Sequence, residues 1–195
     1  MSRLKLLEFQ RLLKELQFVE SDYLFQSEIL KQSESEFFSS VSIILEKYPD
    51  LKNLWEDKIL KSSGTVSLEN IENISKIETD NLKPVIEPEV KKLYRDIVKH
   101  THPDRIKNPK LNELYLEATA AYEINDVVNL FKVCNDLMIE VEWSEEVLSK
   151  IEDRIKTLKN QIHFLESTFT FKWLKCSDDS EKNNIVLRYI ENTIR

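Results

Sequence analysis

The chain has 195 residues, 41% of them hydrophobic and 32% charged, with a formal net charge of −7. That length holds one or two small domains, and the balance fits a soluble, helix-rich protein. Its single glycine excludes Rossmann and P-loop nucleotide sites and argues against an all-β fold, because phosphate-cradling loops and tight hairpins need glycine at positive φ.

Residues 4–48 predict one long helix. Phe9, Leu16, Tyr23, Leu30, Phe37 and Ile44 recur every seven residues, with Leu6, Leu13, Glu20, Ser27, Glu34 and Val41 as the partner positions. This is a heptad seam with a polar middle. A helix of this length cannot bury such a stripe alone, so it needs a partner helix. Pro49 ends it, and Asp50 is placed to cap a short helix bearing Leu51, Leu54, Trp55 and Ile59. Periodicity then fades, and 61–87 is expected to be a linker.

From Pro88 the helical period returns. Val90, Leu93, Tyr94, Ile97, Val98 and Thr101 share one face, and the opposite face carries Lys91, Lys92, Arg95 and Lys99. Pro88 suits the first helical position, where its missing N–H is not needed. The loop that follows has His102-Pro103-Asp104 at its tip. A second amphipathic helix then runs through Leu111, Leu114, Tyr115, Ala118, Ala121 and Tyr122. Asp126 can cap a third, with Val127, Leu130, Phe131, Cys134, Leu137 and Met138 on its face. Ser144, Glu145 and Glu146 open a last long helix, expected over 145–174. In it Leu148, Ile151, Ile155, Leu158, Ile162, Leu165 and Phe169 alternate by three and four, as in a coiled coil. The two seams are expected to pack on each other, within the chain or across a homodimer. Ser177 to Ser180 break the pattern, and a tail helix with Val186, Tyr189, Ile190 and Thr193 follows.

Charge is unevenly placed. Residues 89–110 hold seven Lys or Arg against three acids, a local +4 in a remainder of −11. A basic patch on an acidic body argues against nucleic-acid affinity, which needs many phosphate contacts, and suits docking on an acidic protein surface. Cys134 and Cys176 lie far apart with no Cys-x-x-Cys, which supports neither a zinc site nor a disulfide framework. With no signal peptide or membrane span visible, a cytoplasmic setting is the expectation.

The run from Val90 through Lys91, Lys92, Leu93, Tyr94, Arg95, Asp96, Ile97 and Val98, followed by His102-Pro103-Asp104-Arg105 and Ala121-Tyr122-Glu123, resembles the J domain of the Hsp40 (DnaJ-type) co-chaperones. The three pieces match that family's helix II, its His-Pro-Asp loop and the end of its helix III, in order and at family spacing. The layout is similar to short phage and bacterial J-domain proteins. The family's Tyr-x-x-Leu-Gly helix I signature and its Gly/Phe-rich linker are absent. Asp96 stands where a base is usual, and Thr101 where an aromatic is common.

The two heptad seams and the single glycine point to an all-α fold, and the resemblance places a J-domain-like hairpin at 88–140 between an N-terminal part at 1–60 and a coiled-coil part at 141–195. It implies docking on a DnaK-type Hsp70, with His102, Pro103 and Asp104 at the ATPase trigger and Lys91, Lys92, Arg95 and Lys99 as docking charges. The coiled-coil arms would take a client protein, and no cofactor, metal, nucleic acid or membrane is involved. The competing reading is a structural or adaptor protein, viral in origin, that keeps the hairpin only as scaffold. An enzyme ranks last. His102 and Asp104 have no placed nucleophile beside them, and Pro103 is expected to hold the two side chains apart.

Overall fold

The computed structural model describes residues 3–63 and 86–195. Those residues are all-α, with eight helices and no strand among them. They are α1 (Arg3–Lys47), α2 (Pro49–Ser63), α3 (Pro88–Thr101), α4 (Pro109–Glu123), α5 (Val127–Asp136), α6 (Glu145–Ser167), α7 (Phe169–Lys175) and α8 (Asp179–Ile194). Most of the linker expected at 61–87 lies outside the described residues.

The chain folds as two compact units, each discontinuous in sequence. Among the described residues the first takes 3–19 and 86–157, and the second takes 20–63 and 158–195. This differs from the linear partition read from the sequence, because α1 and α6 each contribute to both units. The division follows burial along α1. Phe9, Leu12, Leu13, Leu16 and Val19 are buried, then nothing is buried until Ser33, and then Phe37, Val41, Ile44 and Leu45 are. The polar middle of the seam falls in that gap, where Glu20, Tyr23, Ser27 and Leu30 are only half-buried.

In the first unit α3, α4 and α5 pack on one another in all three pairings. Val90, Leu93 and Ile97 of α3 meet a core that includes Ala118 and Ala121 of α4 and Leu130, Phe131, Val133 and Cys134 of α5. Alanines at those two α4 positions let the helices approach closely. Phe9 of α1 packs edge-on against Phe131 and flat on Trp143, the latter with ring centroids 4.0 Å apart. Fully burying a side chain of this size contributes about 1.5–3 kcal/mol, so Phe9 and Phe131 are major anchors of the unit.

In the second unit Phe37, Val41, Ile44 and Leu45 of α1 cluster with Trp173 of α7 and Val186 and Ile190 of α8. Phe37 meets both Trp173 and Tyr189 edge-on, and Trp55 and Leu51 of α2 pack on the same cluster. The expected pairing with the α6 heptads is not what covers this part of α1. This stretch of the α1 seam is covered by α7 and α8, through Trp173, Val186 and Ile190.

The expected continuous helix over 145–174 is also corrected. It breaks at Thr168, whose backbone is extended at φ −65° and ψ 153°. Thr168 Oγ1 donates to the Leu165 carbonyl and accepts the Phe171 N–H, and Ser167 Oγ donates to the Phe164 carbonyl. Adjacent hydroxyls thus take over hydrogen bonds that the helix would otherwise make, and Thr168 becomes the N-cap of α7.

Candidate partner-docking site

The site is the hairpin of α3 and α4 with the loop between them. Its open end is closed by polar groups. α4 ends with Asn125 in the left-handed region at φ 58°, and the Asp126 N–H reaches back to the Ala121 carbonyl at 2.8 Å. Asparagine tolerates this conformation better than most residues. Asn125 Oδ1 also accepts the Glu87 N–H, the group just before α3 begins. Asp126 then caps α5 by accepting the Asn129 N–H, and its carboxylate takes a 2.8 Å bond from Arg154 on α6.

Midway along the hairpin, Tyr94 and Tyr122 stack with centroids 4.4 Å apart. The Tyr94 hydroxyl lies 3.2 Å from Thr119 Oγ1. Thr119 already donates its one hydroxyl proton to the Tyr115 carbonyl, so Tyr94 is the donor in that pair. Burial raises the Tyr94 phenol above its ordinary value, outweighing the Thr119 contact that lowers it, so the phenol stays protonated and available to donate.

The loop begins where Thr101, fully buried, donates its hydroxyl to the Ile97 carbonyl. His102 is the C-cap at φ −56° and ψ 124°. The following proline forces that extended geometry on its predecessor and so ends the helix. The His102 N–H still reaches the Val98 carbonyl, while its own carbonyl accepts from Arg105 and Ile106. His102 Nδ1 accepts the Asp104 N–H at 3.2 Å, and the ring packs edge-on against Tyr115 at 5.6 Å. The sequence expectation that Pro103 would separate His102 and Asp104 is corrected, since Nδ1 and the Asp104 carboxylate lie 3.7 Å apart. The acceptor bond explains this. In turning Nδ1 toward the Asp104 N–H, the ring is brought close to the carboxylate of the same residue. Pro103, Asp104 and Arg105 are exposed, the Asp104 side chain at 87%.

Lys91, Arg95 and Lys99 follow one i, i+4 ridge of α3 with Lys92 beside them, and all four are exposed. Lys99 is held by Asp96 at 2.7 Å. Among the described residues, Lys91, Lys92 and Arg95 have no ion-pair partner. The structure thus brings His102, Pro103 and Asp104 into one turn at the end of the helix that carries the basic ridge. Sequence reasoning did not find the seating of His102 on Tyr115, the Asn125 clasp or the Asp126–Arg154 pair. Asp126 was legible only as a cap, and nothing in the pattern links it to a residue on another helix.

No family model, curated protein or solved structure matches the chain.

Proposed function

We propose that the chain is a J-domain-type co-chaperone that docks on a DnaK-type Hsp70 and stimulates its ATPase. One observation supports this reading above the others. His-Pro-Asp stands at an exposed turn between two packed helices, and the helix leading into it carries an exposed basic ridge. Pro103 and the hydrogen bonds onto His102 stiffen the turn, which lowers the ordering cost of docking. The Asp104 carboxylate is open to a partner guanidinium. Lys91, Lys92 and Arg95 supply steering that salt would screen. Packing of α5 on both hairpin helices gives them a third wall, in a unit with no recognisable helix I signature.

The scaffold reading is favoured by one observation, the neutralisation of Lys99 by Asp96 on the docking ridge. A single-turnover ATPase assay with the Hsp70 of the source organism separates the two. The co-chaperone reading expects the wild-type chain to accelerate hydrolysis, His102→Gln to abolish the acceleration with helical content unchanged, and a Lys92/Arg95 charge reversal to weaken it most at low salt. No acceleration by wild type, or equal acceleration by His102→Gln, leaves the scaffold reading in its place.

A further inference from the structure

We infer that the segment 139–144, with the groove beside it in the first unit, binds an extended peptide whose apolar side chains alternate with basic ones. The site shares no residue with the hairpin ridge or the His102 turn, so it stands or falls apart from the co-chaperone reading.

The argument begins with the backbone. Leu137 caps the C-terminal end of α5, Met138 turns the chain in the left-handed region at φ 56°, and the Ile139 N–H closes on the Cys134 carbonyl. From Glu140 to Trp143 no backbone N–H or carbonyl bonds to another described residue. Over the same stretch Ile139, Val141 and Trp143 are half-buried while Glu140 and Glu142 are exposed, the alternation of a strand with one face covered. A strand-like segment with open donors and acceptors is what peptide recognition by strand addition uses.

The groove supplies the side-chain pockets that such recognition needs. It has a volume of about 730 Å³ and is lined by Leu6, Phe9, Phe131, Met138, Val141 and Trp143, within the range of ligand-binding clefts. The Phe9–Trp143 stack is its rigid element. Leu6 at 40% and Met138 at 90% exposure leave apolar surface for an incoming side chain, and methionine adapts its shape to varied partners. Charge selects the occupant. The lining carries Glu140 and Glu142 against Arg3, so a cationic peptide gains where an acidic one is repelled.

The test is fluorescence anisotropy of a labelled, end-capped heptapeptide of alternating Val and Lys, titrated with the full chain. A Val/Glu counterpart and a backbone N-methylated Val/Lys peptide run alongside. The expected result is binding of Val/Lys at least tenfold tighter than Val/Glu, a tenfold loss on N-methylation, and reversal of the charge preference in Glu140→Lys/Glu142→Lys. His102→Gln should bind as wild type does. Binding of neither peptide up to millimolar chain, equal binding of the two charge types, no change on reversal, or full binding of the N-methylated peptide each overturns the inference.

Discussion

His102 is both a surface group and a packed one. Its ring is edge-on to Tyr115 and accepts the Asp104 N–H, yet its side chain stays 35% exposed. A ring contact of this kind contributes about 0.5–1.5 kcal/mol, so His102→Gln should lower stability in a urea melt by no more than about 1.5 kcal/mol. A larger loss would mean that the turn is a folding element, and the ATPase comparison would then need a milder variant. Met138 offers the opposite case. It is 90% exposed and holds φ 56° without being glycine. Met138→Gly should stabilise the chain by about 0.5 kcal/mol, the relief of a left-handed side chain less the entropy glycine adds to the unfolded state. At this scale the tripeptide was legible because it is local. The seat of His102 was not, because the period of Tyr115 says only that it faces inward and not what it meets.

The period of an element reports which face is apolar but not how far along its length that face is covered. This is why the α6 seam was legible as a stripe while the depth of each position was not. Ile151 is fully buried and Leu158 only half-buried. Ile151→Ala should therefore cost about 2–5 kcal/mol, and Leu158→Ala clearly less, in matched denaturant melts. Equal losses would mean that Leu158 is covered in solution by something outside the chain, such as a second copy. The break between α6 and α7 was not legible because Thr168-Phe169-Thr170 fits the heptad spacing, and its capping role depends on hydroxyl geometry. Thr168→Ala should destabilise by about 1 kcal/mol and lengthen α6, which the amide exchange of Phe171 would report.

The all-α class was legible from one glycine and long 3.6-residue periods, but the grouping into two discontinuous units was not. A continuous seam carries no mark of where its partner changes. The two cysteines let the units be followed separately, since Cys134 lies in the first and Cys176 in the second. Cys134 is fully buried, and burial, with the Asp96 charge adding, pushes its thiol up from 9.0 to about 12. At pH 8 a maleimide should therefore label the partly exposed Cys176 ahead of Cys134, which reacts only when the first unit opens. The pH dependence has a definite sign. The unfolded thiol ionises near 9.0 and the folded one near 12, so the contribution is intact below pH 9.0 and is lost as pH rises toward 12. Cys134→Ala, which removes the titrating group, should flatten stability across that window. An unchanged slope would show that the alkaline loss comes from elsewhere, such as Tyr94 or Tyr189, whose phenols burial also raises.

The shared use of α1 sets an order of events during synthesis. Phe37, Val41 and Ile44 leave the ribosome early, whereas Trp173, Val186 and Ile190, which cover them, follow roughly 140 residues later. At about 5–20 residues per second that interval is on the order of 7–30 seconds. Throughout it, the nascent chain presents an aromatic and aliphatic stripe covered at most by α2 to the solvent or to any holdase within reach.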